Sequence, residues 1–117
     1  MKRDMDIIRQ LLLEAEARNA PLNTGDPITA YHVSLLKDAD YVEAIIREGS
    51  NGMPTGAIIH RITWQGHDFL DAARSDTLWH KAKDKFLKPG VSWTVSLLGE
   101  WLKAEAKKQF FPEQASG

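Results

Sequence analysis

The stretch YVEAIIREGSNGMPTGAIIHRIT, Tyr41 to Thr63, decides the fold. Its two ends, YVEAIIRE and AIIHRIT, are rich in β-branched and aromatic residues, the composition of strands. Between them GSNGMPTG holds three glycines and a proline, which interrupt regular structure. The whole reads as an antiparallel hairpin with a long tip.

Helical periodicity lies on both sides of this hairpin. Upstream, Ile8, Leu11, Leu12 and Ala15 follow the spacing of a one-sided helix from Asp4 to about Arg18, with Asp4 and Asp6 near its positive end. NAPLNTGDP then reads as a connection, and ITAYHVSLLKDADYV as a second helix ending near Asp38 to Asp40. Downstream, Thr63 offers a hydroxyl just where Phe69, Leu70 and Ala73 take up helical spacing, which suits an N-cap. Gly66 falls in that helix's first turn, where the missing side chain allows close packing against the sheet. Ser75 and Asp76 offer another cap before TLWHKAKDKFL, in which Leu78, Trp79, Ala82 and Phe86 share a face. Lys88-Pro89-Gly90 breaks that helix, and a last one is predicted from about Ser92 to Gln109.

The length of 117 residues fits one domain, predicted over residues 1–110 with residues 111–117 as a flexible C-terminal tail. The order of elements predicts an α+β, mostly α fold: a winged-helix-like domain with a two-stranded β-hairpin wing and additional C-terminal helices. One feature departs from that plan. A helix-turn-helix has a supporting helix before its recognition helix, and NAPLNTGDP is too short to supply two turns comfortably.

Composition removes several function classes. There is no cysteine, which excludes disulfides, thiolate zinc sites and cysteine nucleophiles. The first 20 residues carry charges throughout, and their longest apolar run is Leu11 to Leu13, too short for a secretory signal or a spanning helix. A cytoplasmic protein that does not engage a membrane is expected. The net charge of -1 is unevenly spread: through His80 there are eight Lys or Arg against twelve Asp or Glu, and beyond it seven against four. Such asymmetry orients partners rather than determining fold.

Two segments resemble known parts of winged-helix regulators. YHVSLLKDADYV is similar to the end of a recognition helix and its entry into the wing, and RITWQGHDFL to the Leu-Thr-x-x-Gly turn by which such domains leave it. Over nearly the whole chain, MKRDMDIIRQLLLE, YHVSLL and RITWQGHDFLDAARSDTLWHKAK occur in the order seen in a bacterial and phage family, domain of unknown function 2513. The chain resembles that family, whose members are often met in phage and prophage genomes. The resemblance implies the winged-helix-like fold and a phage or prophage context; the family carries no established activity and so implies no catalytic residue.

Nucleic acid is one candidate partner. Duplex affinity comes largely from Lys and Arg on phosphates, with bases read by a helix in the major groove. Between Thr24 and Val42, however, Lys37 stands against Asp26, Asp38 and Asp40. Lys37 remains a candidate contact, and the other basic candidates lie elsewhere: Lys81, Lys85 and Lys88, spaced four and three apart, with Arg47 and Arg61 flanking the wing. The same spacing also describes an ordinary solvated helix face. On the last helix Trp93, Leu97 and Trp101 form one apolar stripe, and Val95, Leu98 and Leu102 another. The first stripe, with Tyr31 and His32, is a candidate interface that would serve a homodimer or a partner protein, or else wedges the helix inside its own fold.

Chemistry is not nominated by any motif. His67 and Asp71, and likewise His80 and Asp84, have the four-residue spacing of paired ligands, but no third ligand is indicated. His32 lacks a nameable substrate or orienting group, Ser34, Ser75 and Ser96 lack a nucleophile elbow, and GSNGMPTG lacks the Lys-Ser/Thr ending of a phosphate loop. The expectation is a non-enzymatic accessory or regulatory protein without cofactor or metal. Its partner is a macromolecule, either DNA or, in a counter-defence or inhibitor role, a protein.

Overall fold

The computed structural model describes residues 2–18 and 21–110. Helix α1 (Met5–Ala17) begins at Asp4, whose carboxylate accepts the N–H groups of Asp6 and Ile7 at 2.9 and 3.4 Å. It buries Met5, Ile8, Leu11 and Leu12 on one face. Helix α2 (Pro27–Asp38) begins at Asp26, which accepts both the N–H and the hydroxyl of Thr29 at 2.8 Å, and Pro27 occupies the first turn, where its missing donor costs nothing.

Between them lies a strand that the sequence did not announce. β1 (Leu22–Thr24) pairs antiparallel with β3 (Pro54–Ile62), which pairs in turn with β2 (Val42–Glu48). The predicted hairpin is thus present as β2-β3, and β1 extends it to a three-stranded antiparallel sheet in the order β1-β3-β2. A three-residue strand carries too little pattern to be read locally; its partner across 35 residues of chain from Asn23 to Ile58 makes it. The loop is likewise shorter than expected, spanning residues 49–53, because Pro54 to Gly56 already belong to β3. The Gly49 N–H donates to Met53 O and Gly52, at φ +78°, donates to Gly49 O, which closes the tip.

One face of the sheet packs on α1 and α2 through Val42, Ala44, Ala57, Ile59 and Ile62. The alternation survives a bulge: Glu43 faces Arg61 and Ala44 faces Ile59, so His60 is the extra residue. The end of α2 shows how hairpin and helix are joined. Asp40 takes the left-handed conformation at φ 63°, its N–H donates to Lys37 O, and the Tyr41 N–H donates to Leu36 O. This is a Schellman closure with aspartate in the position glycine usually holds, and Tyr41 and Leu36 are both buried beside it.

The corner at the end of β3 then builds on Tyr41. The Thr63 hydroxyl donates to Asp40 O at 2.5 Å, the Thr63 N–H donates to Tyr41 O at 3.1 Å, and the Gly66 N–H donates to Thr63 Oγ1 at 3.1 Å. Thr63 thus caps α3 (Trp64–Ala73) as expected. A Cβ on Gly66 would collide with the Tyr41 carbonyl and with Ile62 Cγ2, so the close approach read from the sequence is a requirement.

The chain divides into two compact units, Met1–His67 and Asp68–Gly117, with the boundary inside α3. In the second, Ser75 caps α4 (Asp76–Phe86) by accepting the Leu78 N–H at 3.2 Å, and Leu78, Trp79, Ala82 and Phe86 are the buried face, as the spacing predicts. Phe69 meets Trp79 and Phe86 meets Trp101, each edge to face with ring centroids 6.5 and 5.9 Å apart. The last helix, α5 (Val95–Phe110), starts three residues later than expected, because Thr94 caps it by accepting the Leu97 N–H at 3.1 Å. The tail proposed for residues 111–117 lies outside the described residues. The architecture is the mostly α, α+β one expected, and no described helix is long and apolar enough to cross a membrane.

Candidate functional site

α2 directly precedes the β2-β3 hairpin. Its solvent side carries Ile28, which is 53% exposed, with Tyr31 and Leu35 half-buried three and seven residues on. The exposed charged residues around them are Asp26, Lys37, Asp38 and Asp40. The Asp26 carboxyl is held below its ordinary value, first by the backbone N–H of Thr29 and then by its hydroxyl, which keeps it charged. Lys37 is thus one cation among three carboxylates, and the wing tip offers an exposed Met53 and no cation.

The two arginines proposed to flank the wing are engaged on the outer face of the sheet. Arg61 forms an ion pair with Glu43, its neighbour across the ladder. Arg47 lies across Gly56 and reaches β1, donating to Thr24 O at 3.3 Å. A side chain at Gly56 would occupy the space of its guanidinium. On α4 the lysines behave differently. Lys81 and Lys85 are exposed opposite the buried face and share a side, whereas Lys88 lies beyond the helix's last residue, Phe86. Lys85 Nζ sits 5.8 Å from the centre of the Phe86 ring.

The interface candidates are largely used internally. His32 is corrected outright: it is fully buried and belongs to no surface. Its Nε2 accepts the Asp4 N–H at 2.9 Å and its Nδ1 donates to Ile28 O at 2.7 Å, so the ring ties the start of α1 to α2 as the Nδ1–H tautomer. Tyr31 lies edge-on to that ring at 5.3 Å. Trp93 precedes α5 and is buried, and Trp101 is half-buried against Phe86. The expected stripe is therefore not continuous along the helix, and Leu97, 50% exposed, is its accessible member. Val95, Leu98 and Leu102 form the buried face.

Two concavities accompany these surfaces. One, of about 280 Å³ in the first unit, is lined by Arg18, His60, Arg61, His67 and Glu16 over buried Leu22, Ile59 and Ile62. The other, of about 760 Å³ in the second unit, runs between Asp68 and Asp71 of α3 and Glu100, Lys103 and Lys107 of α5. Its charges are partly spent, since Asp71 accepts from Arg74 and Lys103 pairs with Glu100, both at 3.3 Å. Of the residues lining the first cavity, Arg18 and His60 escaped the sequence reading. His60 carried one signal, a polar residue within an apolar strand, but the bulge that turns it out depends on pairing with β2. Among the described residues no three His, Asp or Glu are grouped so as to hold a metal ion.

No solved structure matches the chain. A protein of Haemophilus influenzae named "Uncharacterized protein" is similar to it, at 39% identity over 71% of this chain and 76% of that one. A family profile also matches, over residues 2–92, a span that begins before α1 and runs past the end of α4. The chain belongs to that family, described as "Hypothetical protein (DUF2513)".

Proposed function

We propose that the protein is a non-enzymatic accessory regulator of phage or prophage type, built as a variant winged helix, that acts by binding another protein. The element order α1, β1, α2, β2, β3 and the sheet order β1-β3-β2 support the winged-helix reading, with β1 standing where a supporting helix is otherwise expected. The observation that carries the choice of partner is the solvent side of α2. Ile28, Tyr31 and Leu35 present apolar and aromatic surface amid Asp26, Asp38 and Asp40, and a reading helix with one lysine repels phosphates more than it neutralises them. A protein whose own docking patch is apolar and rimmed by basic residues fits that surface.

DNA is the second reading, favoured by the exposed Lys81 and Lys85 on α4. One paired experiment separates the two. Polarisation titrations against duplex DNA at low and moderate salt are expected to show no binding; steeply salt-dependent binding lost in Lys81→Glu/Lys85→Glu would establish the DNA reading instead. In parallel, affinity capture from a native host, with nuclease treatment, is expected to retain a partner that Ile28→Asp and Tyr31→Ala both release. Retention unaffected by either variant would remove α2 from the proposal.

A further inference from the structure

We propose that the cavity of the first unit, lined by Arg18, His60, Arg61 and His67, is a binding site for a small phosphorylated molecule. Three separate elements deliver its donors. Arg18 is the C-cap of α1, His60 is the extra residue of the β3 bulge, and His67 stands in the opening turns of α3, whose entry is fixed by Thr63 and Gly66. A bulge turns a side chain out of the ladder, and this one turns His60 to the cavity that Ile59 and Ile62 floor.

The hydrogen-bonding capacity left over in the cavity is led by donors, the Arg18 guanidinium and a ring N–H on each of His60 and His67. Among the described residues, the Arg18 guanidinium and the His60 and His67 rings have no ion pair or hydrogen-bond partner. Arg61 also borders the cavity, but its guanidinium is engaged with Glu43 on the outer face of the sheet and is not counted among the donors. Glu16 is the one carboxylate in the lining, against Arg18, His60 and His67. Donors converging from several directions match a tetrahedral group with three non-bridging oxygens better than a planar carboxylate with two. At about 280 Å³ the cavity lies below the range of roughly 300–1,000 Å³ that holds drug-sized ligands, so the body carrying the phosphate is small. Buried Leu22, Ile59 and Ile62 give that body an apolar floor.

The test uses the full chain and three probes followed by histidine side-chain NMR: inorganic phosphate for the head alone, phenyl phosphate for head and body, and benzoate for the same body with a carboxylate. Phenyl phosphate is expected to shift the His60 and His67 resonances saturably and to leave His80, on α4, unmoved. Inorganic phosphate is expected to do so more weakly, and benzoate more weakly still. Arg18→Ala and His60→Ala, both exposed positions, are each expected to weaken phenyl phosphate by about tenfold, read at His67, with an unchanged circular dichroism spectrum. Lys81→Ala is expected to have no effect. Shifts of His80 equal to those of His67, benzoate binding as tight as phenyl phosphate, or no saturable shift at all would each overturn the proposal.

Discussion

At Gly66 the backbone of α3 lies so close to the Tyr41 carbonyl that one methyl group has no room. The obstacle is backbone, which cannot rotate away. Gly66→Ala is expected to lower the unfolding free energy by about 2 kcal/mol in urea titrations, even though alanine favours a helix elsewhere. Gly25→Ala, with nothing within 4 Å of the added carbon, serves as the control and should stay within about 0.5 kcal/mol of wild type. His32 illustrates the opposite problem of legibility. Its helical position was evident, but the partner that makes it a core residue is an N–H 28 residues away at Asp4. His32→Leu preserves bulk and removes that acceptor, and is expected to cost about 1–2 kcal/mol by the same measurement.

Among the elements, helices were read well where a cap and an apolar stripe coincide, as in α1, α3 and α4. Their starts are set by Asp4, Thr63 and Ser75, side chains that satisfy local N–H groups and need no distant partner. α5 was read less well because Trp93 continues an apparent stripe that Thr94 cuts. The cap of α2 makes a pH prediction. Asp26 has a folded pKa below its ordinary 3.8, so its contribution to stability is fully present above pH 3.8 and is lost as pH falls through the lower folded value. Urea unfolding of wild type and Asp26→Ala should therefore differ at pH 6, and the difference should shrink once the pH passes below 3.8. A difference that persists undiminished in acid would show that the carboxylate is not what caps the helix.

For the molecule as a whole, surface chemistry decides what can associate with what. A stable interface buries roughly 800 Å² on each partner, and the stripe proposed for self-association retains Leu97 as its exposed large residue. Light scattering is accordingly expected to show a monomer at high concentration; a dimer dissociated by Leu97→Asp would restore the stripe as an interface. Exposed Ile28 and Met53, with Trp64 at 83% exposure, leave apolar surface in the first unit for a partner of another kind.

The sequence by itself determined the class of fold and the corner at Thr63, because periodicity, capping hydroxyls and glycine punctuation act over a few residues. It also excluded cysteine chemistry and placed Lys81 and Lys85 on one side of α4, though Lys88, expected with them, lies beyond the helix. Only tertiary structure decided that Leu22 to Thr24 form a strand, that His32 is buried, that Arg47 and Arg61 are engaged on the sheet, and that Arg18, His60 and His67 share a cavity. Each of those depends on groups brought together from distant parts of the chain, and pairing of that kind leaves no periodic trace in the residues that take part.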